Sequence, residues 1–444
     1  MTPLRLERQK LGWSRTRLAH ELERRAQGRF SLATRASLLR MISAWESGAR
    51  DTSDPYRTLL CEAYGRTADE LGLGGGTDRA ESSVGLSYAS SLDAAAAILS
   101  DLARFDDMKH PAVSQGRYQP DALNAVCLDW LFGTASNDMP AGAGKRVTMK
   151  DVEEIRATTS MFDSLDRRFG GENARSMAVR FLREAVLPRF GKTSDQTVTT
   201  ELYRAAAILC ELIGWMSFDT SRNSLAQRYF TQALRLAEAA GDRAYASYIL
   251  ASMADQALFL KRPDQALRLA QVARDAGEKA GVAVATTEAS MLEARAFAAQ
   301  GDESGCTRAL LRAEAAFNSI SADDNPSWAN HWGDILFASH AGTCWVDLGA
   351  PKEAASLVRT VWDSAKDQAR RRVYSGVQLA RVALLTNEVE QAVSYGIAAL
   401  EATSGLTSNR SLQQLRDLRD QLGNHAKHPA VVEFEERARL VLAA

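Results

Sequence analysis

"LLRMISAWESGARD", residues 38–51, is the stretch on which the reading of the amino-terminal region turns. It is the end of a helix predicted from "SLATRASLLRMISAWESG" and stopped by Gly48, which can take the left-handed conformation that closes helices. Working outward, Leu4, Leu11, Leu18 and Leu22 recur at helical spacings. They give a first helix over about 3–11 and a second through "RTRLAHELERRA", with Ser14 as its N-cap and Gly12 and Trp13 between the two. Pro55 suits the first turn of a fourth helix, "PYRTLLCEAYG", closed by Gly65. Thr67, followed by Asp69 and Glu70, opens a fifth that ends at Gly72.

Five short helices within residues 3–72, with "GWSRTRLA" in the second and "ISAWESG" in the third, resemble the lambda-repressor-like (Xre-type) helix-turn-helix family. The resemblance implies that Ile42 and Trp45 pack the third helix on the domain and that Glu46 tethers its end. It departs in one place: 24 positions separate Leu18 from Ile42, where the family has about 11. "ERRAQGRFSLATR" must therefore extend the second helix and insert a loop before the third. The same resemblance implies base-reading residues on the exposed face upstream of Trp45, namely Arg35, Ser37, Arg40, Met41 and Ala44. Arg40 is foremost among them, because a guanidinium grips guanine bidentately. Arg15 and Arg17 at the start of the second helix, and Arg50 just past the third, are placed for phosphates. Arg24, Arg25 and Arg29 of the insertion stand open between phosphate contact and plain solvation.

Charge distribution points the same way. Residues 1–48 hold ten Arg and Lys against four Glu, a net of +6 in a chain whose total is −1. A basic head on a mildly acidic body is the electrostatic pattern of a DNA-binding module joined to a regulatory one. The 444 residues exceed one ordinary core, and 45% apolar with 25% charged residues is a globular composition. Neither a signal-peptide core nor an apolar run of about 20 residues occurs, so a cytoplasmic protein without membrane contact is expected. Five scattered cysteines without CxxC spacing read as reduced, small apolar fillers.

Residues 73–91 are rich in Gly and Ser and are expected to be a flexible linker. Helical patterning resumes at "LDAAAAILSDLARFDDM", lapses across 109–147 with "SNDMPAGAGKR" as an exposed loop, and continues from Val147 almost to the end. Residues 92–199 form a helical first part of the body, and repeats occupy 200–405. A second-helix small residue falls at Ala226, Ala266, Cys306, Ala354 and Ala392, and seven positions on stand Ala233, Ala273, Ala313, Val361 and Ala399. The matching first helices carry Gly214, Ala254, Ala294, Gly342 and Ala380. These units lie 40, 40, 48 and 38 residues apart. Small residues let paired helices cross closely, and the pattern is similar to the tetratricopeptide repeat. Residues 406–444 should add a capping helix pair. The expected fold is all-α: a five-helix DNA-binding head followed by an α-solenoid of tetratricopeptide-like helix pairs. Head and array together resemble, in plan, actinobacterial regulators and the peptide-pheromone-responsive regulators of Gram-positive bacteria.

The resemblance implies double-stranded DNA as one partner, a homodimer, and a peptide or small-molecule effector in the concave channel. In the alternative, the array docks a partner protein at DNA without a small ligand. Asn, which holds the peptide backbone in such sensors, is scarce in the repeats, and only Asn330 stands near an inner-helix start. "SWANHWGDILFASHAGTCW" gathers Trp328, His331, Trp332, His340 and Trp345, readable as the aromatic wall of a pocket or as packing, with Trp345 at a core position. Asn330, His331, Trp332 and Trp345 are thus the candidate ligand residues. "RRR" at 370–372 could receive a ligand carboxylate or lie on a solvated face. No phosphate loop, HExxH or nucleophile elbow occurs, so neither an enzyme nor a metal or cofactor site is expected.

Overall fold

The computed structural model describes the chain apart from residues 1, 28, 31, 48–51, 53–54, 69, 74–82, 134–135, 137–145, 193–194, 322–324, 367 and 443–444. All regular structure among the described residues is helical, apart from an isolated bridge between Ser91 and Ser136. Two compact units divide between Ser83 and Val84.

The first unit contains α1 (Pro3–Lys10), α2 (Arg15–Ala26), α3 (Arg35–Ser47) and α4 (Tyr56–Tyr64). Thr2 and Ser14 cap α1 and α2 by accepting from Arg5 N and Arg17 N. Gly65 closes α4 in the left-handed region. At the expected fifth helix, Thr67 and Glu70 cap one another reciprocally, Glu70 Oε2 accepting from Thr67 N and Thr67 Oγ1 from Glu70 N. Asp69 and Gly48 lie outside the described residues. The third helix is shorter than the sequence suggests, starting only at Arg35. Ala33 N donates to the Tyr56 hydroxyl at 2.9 Å, and the Arg29 guanidinium donates twice to Glu62, at 2.9 and 3.0 Å.

The second unit opens with an irregular stretch of turns and bends, followed by α5 (Leu92–Asp107), α6 (Pro111–Ser114), α7 (Pro120–Phe132), α8 (Met149–Phe169) and α9 (Gly171–Phe181). Helical hairpins follow: α10 (Gln196–Asp219) with α11 (Asn223–Ala239), α12 (Arg243–Phe259) with α13 (Pro263–Ala280), and α14 (Ala283–Ala299) with α15 (Glu303–Phe317). The later ones are α16 (Asp334–Asp347) with α17 (Pro351–Ser364), α18 (Ala369–Leu385) with α19 (Val389–Glu401), and α20 (Asn409–Leu422) with α21 (Pro429–Leu442). Each first helix packs on its own partner and, from α12 onward, on the next first helix, as in an α-solenoid. Ala226, Ala266, Cys306, Ala354 and Ala392 are all fully buried, as are Ala254, Ala294 and Ala380. At Gly214 an added Cβ would stand 2.6 Å from the Phe230 ring, and at Gly342 it would stand 2.9 Å from Val358. Close helix crossing therefore requires the small residues that mark the repeat.

Two expectations need correction. The region 73–91 is not a free linker at either end. Leu73 is buried in the core of the first unit, while Leu86, Tyr88 and Ala89 are buried in the second. Fully buried side chains of α11 hold this stretch by its carbonyls: Arg228 donates to Val84 O, Gln232 to Gly85 O and Ser87 O, and Arg235 to Ala89 O. The lapse at 109–147 likewise hides α7, whose Leu123, Val126 and Trp130 enter the core. Its pattern is blurred because Leu128, Leu131 and Phe132 are exposed on the opposite side.

Candidate functional site

In the first unit, α3 is positioned from its far end. Leu38, Ile42 and Trp45 are buried, and the Trp45 ring lies 5.3 Å from Tyr56. Glu46, 2% exposed, accepts from Arg8 Nη2 at 3.1 Å and from Arg15 Nε at 2.9 Å. The Thr2 hydroxyl donates to the Glu46 carbonyl at 2.8 Å. Burial by itself would raise the Glu46 carboxyl, but the Arg8 and Arg15 hydrogen bonds outweigh it and hold the group below its ordinary value. Three elements, α1, α2 and α3, are thus joined at one carboxylate.

At this junction Arg15, expected to meet phosphate, is paired with Glu46 while two-fifths of its side chain stays exposed. Arg17 stands 3.5 Å from Glu21, which also receives Arg24 and Arg25, so these arginines of α2 are paired rather than free. Arg35 lies 3.8 Å from Glu23. Met41 is half-buried against the core, and Ser37 and Ala44 flank it at helical spacing. Arg40 is exposed on the outer face of α3 and enters no ion pair among the described residues. Arg50 lies outside the described residues.

In the second unit, a cavity of about 700 Å³ is lined by the first helices α12, α14, α16 and α18, together with α20. Its charged lining is internally paired: Arg295 donates to Asp255 at 2.5 Å, Arg381 to Asp347 at 2.8 Å and Lys261 to Asp417 at 2.9 Å. Beside it the two ends of the array meet. Arg370 of α18 reaches Asp166 of α8 at 3.3 Å and Asp219 of α10 at 3.0 Å. Arg410 of α20 donates to Asp219 at 3.3 Å and lies over the Phe218 ring. Ser408 Oγ donates to Asp219 at 2.8 Å, and Thr407 Oγ1 to Phe169 O at 2.7 Å.

"RRR" is accordingly not one solvated face. Arg370 belongs to this clasp, Arg372 lies over the Trp362 ring at 3.1 Å, and Arg371 is half-buried with no side-chain partner among the described residues. The sequence carried no sign of the clasp, because its partners lie some 150 to 200 positions apart.

The aromatic candidates separate in the same way. Trp328 lies 5.0 Å from Tyr248 and 5.4 Å from Tyr245, and His331 lies 5.8 Å from Tyr248. The Trp332 indole donates to Glu288 at 2.6 Å and stacks on His340 at 5.9 Å. Trp345 packs in a separate cluster with Val358 and Trp362, as its core position implied, and Asn330 is exposed. Burial pushes Glu211 up to about 8, against hydrogen bonds from Trp215, Ser252 and Tyr245, and pushes Glu288 up to about 7. It pushes His340 down to about 3, which leaves a neutral imidazole.

No described helix is long and apolar enough to cross a membrane, and the described residues contain no group of three or more metal-ligating side chains. Comparison with the models of known protein families finds no match, and neither does comparison with curated proteins.

Proposed function

We propose that this chain is a sequence-specific DNA-binding transcription regulator, acting in the cytoplasm as a homodimer, whose helical-repeat body senses a peptide or small-molecule effector. One observation carries the DNA-binding part. Most arginines of the basic first unit are engaged by carboxylates, while Arg40 enters no ion pair among the described residues and stands on the outer face of a helix whose inner face is fixed by Ile42, Trp45 and Glu46. A rigid helix presenting an unpaired guanidinium between small neighbours, Ser37 and Ala44, suits a major groove. The resemblance of "GWSRTRLA" and "ISAWESG" to lambda-repressor-like domains supports the same reading.

The sensing part draws on the cavity of about 700 Å³, which is of ligand-binding size, and on the clasp beside it. An effector that favours one curvature of the array alters the spacing of two heads, and only heads one helical turn of DNA apart occupy successive major grooves. The test is selection of duplexes from a random pool by the purified full chain, followed by sequencing. Enrichment of one motif, arranged as two half-sites, is expected. A pool that remains random through repeated rounds would refute the proposal.

A further inference from the structure

The lining faces of the cavity continue past it toward the amino-terminal ends of the first helices. On α18, Tyr374, Gln378 and Arg381 line the cavity, and Arg371 lies one turn before Tyr374 on the same face. On α12, Asp255 lines it, and Tyr248 lies two turns earlier on the same face. His340 lines it from α16, and Trp332 stacks on that imidazole. The Arg370–Asp166 ion pair sets the start of α18 against the end of α8, which brings Arg371 beside Arg167, the residue following Asp166. Arg167 donates to Asp163 through Nε at 2.8 Å, which leaves its terminal nitrogens available, and it lies within electrostatic reach of Tyr248 and His331.

Two guanidiniums therefore lie within electrostatic reach of one another beyond the lining of the cavity, and among the described residues Asp163 is the carboxylate bonded to one of them. The other acidic groups there do not supply the missing charge. Asp166 is taken by Arg370, and burial keeps Glu211 protonated near neutrality. His331 adds no charge, because burial and then Arg167 push its imidazole down. Burial and then the neighbouring Arg167 likewise disfavour the charge on Arg371, a cost that an anion placed between the two arginines would relieve. Beside the pair stand the flat rings of Tyr248, Trp328 and His331. The amino-terminal end of α18 adds its own positive potential, since Arg371 lies in its first turn.

We infer that Arg167 and Arg371 form an anion-binding subsite one to two helical turns beyond the lining of the body's cavity, taking the carboxylate of an organic acid whose flat or apolar part lies against Tyr248, Trp328 and His331. The inference rests on the sensing part of the reading above and gives the effector a chemical class. A carboxylate held between two guanidiniums makes charge-assisted hydrogen bonds that a neutral analogue cannot. Because Arg371 neighbours Arg370, occupancy of the subsite bears directly on the clasp.

Titration calorimetry of the full chain with 2-naphthoate and with its neutral counterpart 2-naphthalenemethanol tests this without DNA, so its outcome is independent of the DNA-binding proposal. One saturable site for naphthoate is expected, with the alcohol at least about tenfold weaker, a difference of about 1.4 kcal/mol. Arg371→Gln and Arg167→Gln, on different helices, should each weaken naphthoate by about tenfold or more, with the alcohol and the melting temperature little changed. Absence of saturable naphthoate binding up to millimolar concentration, equal affinity for acid and alcohol, or undiminished binding by both variants would each overturn the inference.

Discussion

Glu46 lies under the end of α3 with Arg8 and Arg15 upon it, and its side chain is wholly removed from solvent. Removing one member of a buried ion pair leaves uncompensated charge and costs about 3–5 kcal/mol, and the partial exposure of Arg15 places this case at the lower end. Glu46→Ala should therefore destabilise the first unit by about 3 kcal/mol in urea denaturation. The carboxyl is held below its ordinary value of 4.5, so its contribution is complete above that value and is lost as pH falls through the depressed folded-state value. The stability gap between wild type and Glu46→Gln should accordingly narrow on acidification below about pH 4.5. A gap that widened in acid would contradict this assignment. At this scale the sequence was partly legible. Ile42, Trp45 and Glu46 stand where the motif implied, but nothing in the order of residues told that Arg15 serves Glu46. Which of several arginines finds a carboxylate is decided by the folded chain.

Five of the six hairpins of the body share a device that small-residue spacing did not reveal. Ser221, Lys261, Gly301, Gly349 and Asn387 all have positive φ in the turn between first and second helix, each five positions before the small residue of its repeat. Glycine occupies only two of the five, so turn chemistry alone gives no signal. A non-glycine residue in the left-handed region costs about 1 kcal/mol. Ser221→Gly should raise the stability of the body by up to about 1 kcal/mol, read as a higher thermal midpoint. Gly214→Ala should lower it by about 1–3 kcal/mol, because the new Cβ meets the buried Phe230 ring. The stretch 84–91 was misread for a related reason. It has no apolar period because its fixing is by carbonyls, and the donors are arginine and glutamine of a distant helix. Hydrogen exchange in residues 85–90 should quicken in Arg235→Met while the α18–α19 hairpin stays protected. Unchanged exchange there would show that the buried arginine holds nothing.

Across the array, the repeats were legible because each is built from neighbouring contacts, whereas the closure between its ends was not. Asp166 and Asp219 from the beginning of the body meet Arg370 and Arg410 from its end. A double-mutant cycle between Arg370→Ala and Asp219→Asn should give a coupling of at least about 1 kcal/mol, as expected for side chains in one network. Additive effects would show that the ends are held by other contacts. Under the function proposed above, this closure is the contact an effector would strengthen or release, and the first unit would convert that choice into occupancy of DNA.

The most direct test of that account lies on the outer face of α3. Fluorescence anisotropy would compare the full chain and Arg40→Ala on a duplex enriched by selection and on a scrambled duplex of the same length and composition, at one salt concentration. A bidentate base contact predicts a loss of about 1–3 kcal/mol on the selected duplex and little change on the scrambled one. Equal losses on both, or none on either, would contradict the claim that α3 reads bases through Arg40.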